Sequence, residues 1–340
     1  MKQKYHSSIL QLKEELSIPR KIVITTHQGP DGDAMGSSLA LFHFLKKQSH
    51  DVSVITPNDY PDFLHWLPAN NEVINYMRQK KTAETLIKNA THIFHLDYNH
   101  IQRSADMVRS LTKSKATRIL IDHHLAPGLP AKYIFSEIDV SSTCELLYFI
   151  MMQWDPEAID KDIATCIYTG IMTDTGSFCF RSASAQTFIV ASELMNKEIN
   201  RSKIYENVYD NYSESRMRLM GYCLNNKMEV FPEYHTALIS LNMQEQLDYN
   251  FQVGDSEGFV NLPLSVEGVR FTAFFLEKED KIKISFRSKG NFSTNDFSRA
   301  HFNGGGHINA AGGEIKMSLE ETIRKFRDLL PLYKKQLDEE

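Results

Sequence analysis

The chain is poor in cysteine: Cys144, Cys166, Cys179 and Cys223 are the only four in 340 residues, with no Cys-x-x-Cys spacing. That excludes a disulfide framework and a thiolate metal site, and makes the four reduced core or helix residues. Long hydrophobic runs are missing too. None approaches the roughly 18 apolar residues of a membrane span, so no membrane partner is expected. Positive charge is not in excess: 38 Lys and Arg stand against 43 Asp and Glu, a formal net charge of −5. This argues against a long, sequence-independent nucleic-acid track but not against a short anionic ligand, because bound dications reverse the local field. Internal repeats and low-complexity tracts are absent, as are Walker A and Gly-x-Gly-x-x-Gly spacings, so ATP and NAD readings lack support. Met1-Lys2-Gln3-Lys4 leads into an amphipathic segment without an apolar signal core, and the expected location is cytoplasmic.

What is present is a pattern of apolar runs that end in acids or histidines. Ile22-Val23-Ile24-Thr25-Thr26 runs into His27, then Asp31-Gly32-Asp33. His92-Ile93-Phe94-His95-Leu96 ends on Asp97, and Arg118-Ile119-Leu120-Ile121 on Asp122-His123-His124. Strands are expected at 21–27, 51–56, 91–97 and 116–121, with a further apolar run near 132–139 and helices over 36–47 and 80–89. Short apolar strands alternating with helices predict an α/β protein whose parallel sheet carries helices on both faces. Such sheets bind ligands beyond the carboxyl ends of their strands. Ser142-Thr143-Cys144-Glu145 reads as a capping box opening a helix to about Trp154. A helix from about Glu157 leads to Thr173-Asp174-Thr175-Gly176.

The expected organisation is a first domain over 1–185, a charged helical connector over 186–228 and a smaller mixed α/β domain over 229–340. The segment around 200–226 can act as hinge, as a homodimer contact, or as both. In the last part, 234–241, 269–276 and 282–287 read as strands, the last two joined as a hairpin by Glu279-Asp280-Lys281. Ser318 to Glu321 reads as a second capping box.

Charge arithmetic connects the polar termini. Two dications carry +4, and Asp31, Asp33, Asp97 and Asp174 supply −4, while His27 and His123 add neutral nitrogen ligands. Six protein ligands with one bridging carboxylate leave positions open for water and substrate, as a two-metal hydrolase requires. Each acid alone has an ordinary explanation as a turn or cap residue, and an EF-hand fails because Met35 occupies the next ligand position. The coincidence of four segments carries the argument. Farther along, Gly304-Gly305-Gly306-His307 follows Arg287-Ser288-Lys289. The glycines permit close backbone approach and an anion-binding nest of N–H groups, Arg287 can grip phosphate bidentately, and His307 can donate to another oxygen. Phe178 and Phe180 can stack on a base, although aromatic residues are more often core.

His27-Gln28-Gly29-Pro30-Asp31-Gly32-Asp33-Ala34, Asp97, Asp122-His123-His124 and Thr173-Asp174-Thr175-Gly176 resemble the four motifs of DHH phosphoesterases, in their usual order. Gly304-Gly305-Gly306-His307-x-x-Ala310-Ala311-Gly312 resembles the signature of the DHH-associated C-terminal domain. The resemblance spans roughly residues 20–330 and is closest to the oligoribonuclease and 3′-phosphoadenosine-5′-phosphate phosphatase branch. It implies two Mn²⁺ ions, one held by His27, Asp31 and Asp97 and the other by Asp33, Asp97, His123 and Asp174. It assigns His124 to the scissile phosphate and Asp122 to its support, as catalytic residues. Arg287, Ser288, Gly304, Gly305, Gly306 and His307 become substrate-binding. The implied substrates are short single-stranded RNA or DNA, linear dinucleotides, or small phosphorylated nucleotides such as 3′-phosphoadenosine 5′-phosphate. Alternatives are a pyrophosphatase or exopolyphosphatase, a cyclic-dinucleotide phosphodiesterase, and a nucleotide-binding regulator without turnover. One departure is Cys179, which stands where relatives often carry a basic residue.

Overall fold

In Ile22-Val23-Ile24 successive side chains leave opposite faces of a strand, and all three are buried. A strand apolar on both faces needs cover on both, and the first unit of the protein is built that way. The computed structural model describes residues 4–339, so Met1, Lys2 and Gln3 of the opening segment and Glu340 lie outside the described residues. The chain divides into two compact units, Met1–Asn211 and Tyr212–Glu340.

The first unit holds β1 (Lys21–Thr25), β2 (Asp51–Thr56), β3 (Val73–Asn75), β4 (His92–Leu96), β5 (Thr117–Asp122) and β6 (Tyr133–Ser136) in the order β3-β2-β1-β4-β5-β6, all parallel. Its helices are α1 (His6–Glu15), α2 (Gly32–Lys47), α3 (Lys80–Asn89), α4 (Val108–Lys113), α5 (Thr143–Trp154), α6 (Lys161–Asp174), α7 (Ala185–Met195) and α8 (Arg201–Tyr209). Ile22, Ile24, Phe94 and Ile121 face one core with α1, α2, α5 and α6. Val23, Ile55 and Ile93 face another, lined by Ala83 and Ile87 of α3 and Leu111 of α4. Strand order reverses between β1 and β4. The chain leaves these neighbours in opposite directions, which opens a crevice at their carboxyl ends.

The second unit holds α9 (Glu214–Tyr222), β7 (Met228–Phe231), β8 (Thr236–Leu241), α10 (Met243–Asp248), β9 (Phe271–Glu277), β10 (Ile282–Ser288), α11 (Thr294–His301), β11 (Gly305–Gly306), β12 (Ala310–Ile315) and α12 (Leu319–Asp338). Its sheet is mixed, in the order β11-β12-β10-β9-β8-β7, with β8 and β9 parallel and the expected β9–β10 hairpin antiparallel. Phe271, Phe275, Phe286, Phe297, Phe302 and Phe326 fill one face of it. Ser318 and Glu321 form the reciprocal capping box expected for α12.

Local readings differ in three places. Helix α2 begins at Gly32, not near 36, because Asp31 is its N-cap and accepts from Asp33 and Ala34 N–H. Ser142 caps α5, but Glu145 turns its carboxylate to the N–H and hydroxyl of Ser141, so the box is not reciprocal. Strand β3 sits in the Pro- and Asn-rich stretch, too short and half-buried to show period-two alternation. The boundary between the units falls inside 186–228, with α7 and α8 in the first unit and α9 in the second.

Candidate metal centre

Two glycines bring the acidic segments together. A Cβ on Gly36 would stand 2.6 Å from the Cys166 carbonyl oxygen, and one on Gly32 would stand 2.3 Å from Thr173 Oγ1. Helix α2 therefore lies against α6 at backbone distance, which sets Asp31 and Asp33 at its start beside Asp174 at the end of α6. Gly32 is thus a helix contact, whereas Gly29 stands in the left-handed region with φ of +63°. Asp174 ends α6 where the helix dipole is negative, a poor place for a carboxylate without a cation.

Each histidine is oriented by a neighbour. His27 Nδ1 donates to the Gln28 carbonyl at 2.9 Å, leaving Nε2 as the acceptor nitrogen, 3.3 Å from Asp97 Oδ2 and 3.9 Å from Asp31 Oδ2. His123 Nε2 lies 3.4 Å from Asp174 Oδ2, 3.6 Å from Asp97 Oδ1 and 3.8 Å from Asp33 Oδ2. His124 Nδ1 is 2.7 Å from Asp122 Oδ1 and 3.6 Å from Asp97 Oδ1. Asp33 is gripped by the start of α5: Thr143 N–H donates to Oδ2 at 2.6 Å and Cys144 N–H to Oδ1 at 2.8 Å. Thr143 Oγ1 also donates to Asp97 Oδ1 at 3.0 Å. The sequence reading missed Thr143. Its only signal is the Ser142 cap, which places two free helix N–H groups next in the chain.

These side chains form groups whose ligand atoms converge: His27, Asp31 and Asp97; Asp33, His123 and Asp174; and Asp97, Asp122 and His124. Asp97 turns Oδ2 toward the first and Oδ1 toward His123 and His124. The 3.3 to 3.9 Å gaps exceed ordinary hydrogen bonds. Ligands about 2.1 Å from one ion would sit about 3 to 3.5 Å apart, so the spacing suits a shared cation.

Electrostatics agrees with the spacing. Burial, followed by the charge of Asp97, pushes the Asp33 carboxyl up to about 7. Burial also opposes ionisation of Asp97, but His27, His124 and His123 overcome it and hold Asp97 well below the usual carboxylate range. Among the described residues, the ion pairs of Asp33 and Asp97 are with histidines, none with lysine or arginine. Two buried carboxylates whose ion-pair partners are imidazoles fit divalent cations. Burial lowers His124 to about 4 despite Asp122, keeping its ring neutral.

The second unit holds the other predicted residues. Arg287 lies on β10, with Nη1 donating to the Phe286 carbonyl at 2.9 Å. Ser288 donates to the Phe292 carbonyl at 2.7 Å and accepts from Asn309 Nδ2 at 2.8 Å. The expected nest of N–H groups does not form. Gly304 N–H goes to the Ser298 carbonyl, Gly306 N–H to Asn295 Oδ1 and His307 N–H to the Ala310 carbonyl. The glycines instead allow packing, since a Cβ on Gly304 would stand 1.9 Å from the Gly312 carbonyl oxygen. Phe178 packs on Tyr168 and Phe188, whereas Phe180 stays exposed.

Comparisons with known proteins give the chain its family. The DHH family N-terminal domain matches residues 21–171 and the DHHA1 domain residues 237–335. The chain belongs to the DHH family. Two relatives are each described as a bifunctional oligoribonuclease and PAP phosphatase NrnA. The protein of Thermus thermophilus is 29% identical over 87% of this chain and 84% of its own length. The Bacillus subtilis protein is 24% identical over 95% and 98%. A crystal structure of an exopolyphosphatase-related protein from Bacteroides fragilis is 44% identical, with a TM-score of 0.93 over 98% of both chains. Among the described residues no helix is long and apolar enough to cross a membrane.

Proposed function

We propose that this DHH-family chain is a two-metal phosphoesterase, with Mn²⁺ as its ion, that hydrolyses short oligonucleotides and 3′-phosphoadenosine 5′-phosphate. The observation that carries this reading is Asp97, whose two oxygens face two separate groups of carboxylate and imidazole ligands. His27, Asp31 and Asp97 would hold one ion, and Asp33, Asp97, His123 and Asp174 the other. Bound dications supply Lewis acidity and lower the pKa of a coordinated water to about 7. The protein's own part is orientation. Asp122 accepts from His124 Nδ1 and fixes the ring. That leaves Nε2 of the neutral ring facing away from Asp122, and a proton taken up there beside a bound phosphate anion would let it donate to a nonbridging oxygen. In the second unit, Arg287 and His307 are the candidate side chains for binding a phosphate group. The activities named for the relatives of Thermus thermophilus and Bacillus subtilis support the phosphoester reading.

The test is a panel with purified protein and Mn²⁺: a dinucleotide, 3′-phosphoadenosine 5′-phosphate, a cyclic dinucleotide, pyrophosphate and polyphosphate. Mononucleotide from the first or AMP from the second is expected. Phosphate released from pyrophosphate or polyphosphate alone overturns the substrate assignment.

A further inference from the structure

Asp97 stands in the left-handed region, with φ of +64°, which a residue with a side chain seldom adopts. Such a conformation persists when the surrounding structure over-determines it. Before the turn, the Asp97 N–H donates to the Ile121 carbonyl at 3.1 Å and continues the ladder between β4 and β5. After it, Tyr98 returns to the interior, fully buried beside His95. Its hydroxyl lies 2.6 Å from Thr25 Oγ1 and hydrogen-bonds His95 Nδ1. Thr25 Oγ1 reaches the Phe94 carbonyl at 3.2 Å and His95 Nδ1 at 3.4 Å. The His95 and Tyr98 rings meet edge to face, 5.5 Å apart. Thr25 and His95 are direct register partners on β1 and β4, the pair where strand order reverses.

We infer that Thr25, His95 and Tyr98 form a buried clasp that positions Asp97, holding its carboxylate between the two groups of candidate ligands. None of the three belongs to a converging ligand group. They flank the ligands in sequence: Thr25 lies two residues before His27, and His95 and Tyr98 enclose Asp97. The Tyr98 hydroxyl is the centre of the clasp, because its contacts with Thr25 and His95 are the close ones, whereas Thr25 and His95 approach each other only to 3.4 Å. Removing it leaves Thr25 and His95 buried with their mutual contact and the Phe94 carbonyl only, and frees the turn to relax toward ordinary backbone angles. The carboxylate then swings away from the midpoint while the sheet and its cores remain. Tyr98 is a positioning residue, and the inference rests on the metal-site reading above.

Its test compares Tyr98→Phe, Thr25→Ser and Leu111→Ala with the wild type. Leu111 of α4 is fully buried against Val23 and Ile93, on the face of the sheet that also carries Thr25 and His95 but in a different apolar cluster from Tyr98, so Leu111→Ala controls for lost stability. Free Mn²⁺ is followed by electron paramagnetic resonance, with thermal unfolding and steady-state kinetics alongside. Tyr98→Phe is expected to weaken Mn²⁺ binding about 10- to 100-fold, the range for lost outer partners of metal ligands, and to lower kcat with KM unchanged. Thr25→Ser, which keeps the hydroxyl, retains binding. Leu111→Ala loses thermal stability and keeps Mn²⁺ affinity. If Tyr98→Phe binds Mn²⁺ as tightly as the wild type, or if Leu111→Ala loses affinity equally, the clasp is overturned and the metal reading stands. A wild-type protein that binds no Mn²⁺ overturns both.

Discussion

The N–H of Thr143 donates to Asp33 Oδ2 at 2.6 Å, which ties a candidate ion ligand to the first turn of α5. A helix start offers N–H groups with no partner inside the helix, and here two of them hold a buried carboxylate. Ser142 completes the arrangement by accepting from Glu145 N–H. Ser142→Ala is therefore expected to lower stability by about 1 kcal/mol, as for other lost N-caps, and also to weaken Mn²⁺ binding. Denaturant unfolding and a Mn²⁺ titration check the two effects separately.

Asp97→Ala should abolish dinucleotide hydrolysis, since its two oxygens face the two proposed ion sites. In the wild type, saturating Mn²⁺ should raise the melting temperature, with about 2.7 kcal/mol of stabilisation at 100 times Kd, and a chelator should reverse it. The variant should lose most of that rise. A full thermal shift in Asp97→Ala would remove Asp97 from the site.

Gly36→Ala probes the approach of α2 to α6. The added carbon meets the Cys166 carbonyl oxygen, which belongs to helix backbone and yields little. A destabilisation of about 1 to 3 kcal/mol, typical of overpacking, is expected. Denaturant melts would show it, and a neutral result would mean the helices separate freely.

Glu15 provides a pH test outside the candidate ligand groups. Burial opposes its ionisation, but hydrogen bonds from Lys132, Tyr133 and His92 prevail and lower it from 4.5 to about 2. A folded-state pKa below the unfolded one adds stability above the unfolded value and loses it as pH falls. Stability from this group should be complete above about pH 4.5 and disappear toward pH 2. Glu15→Gln should be less stable at neutral pH and show a shallower acid limb in melts between those limits.

Much of this protein is local in origin. The apolar runs at 22–24, 93–96 and 119–121 specify buried strands because their side chains must leave both faces dry, and a polar residue after such a run marks where the covered strand ends. His27, Asp97 and Asp122-His123-His124 were legible for that reason. The Ser318 cap and the β9–β10 hairpin were equally plain, each decided within a few residues.

Other features depend on atoms distant in sequence. Gly32 reads as a turn until Thr173 is found against it, and Ser142 to Glu145 reads as a capping box until Glu145 turns to Ser141. The glycines of 304–306 look like an anion nest until Ser298, Asn295 and Gly312 use or crowd them. Composition and periodicity determined the strands, their polar ends and the ligand types available. Tertiary structure alone decided which carboxylates face one another, because that depends on how closely helices pack and where backbone N–H groups find partners. By that packing, α2 and α6 set Asp31 and Asp33 beside Asp174, and the N–H groups of α5 hold Asp33 among the ligands.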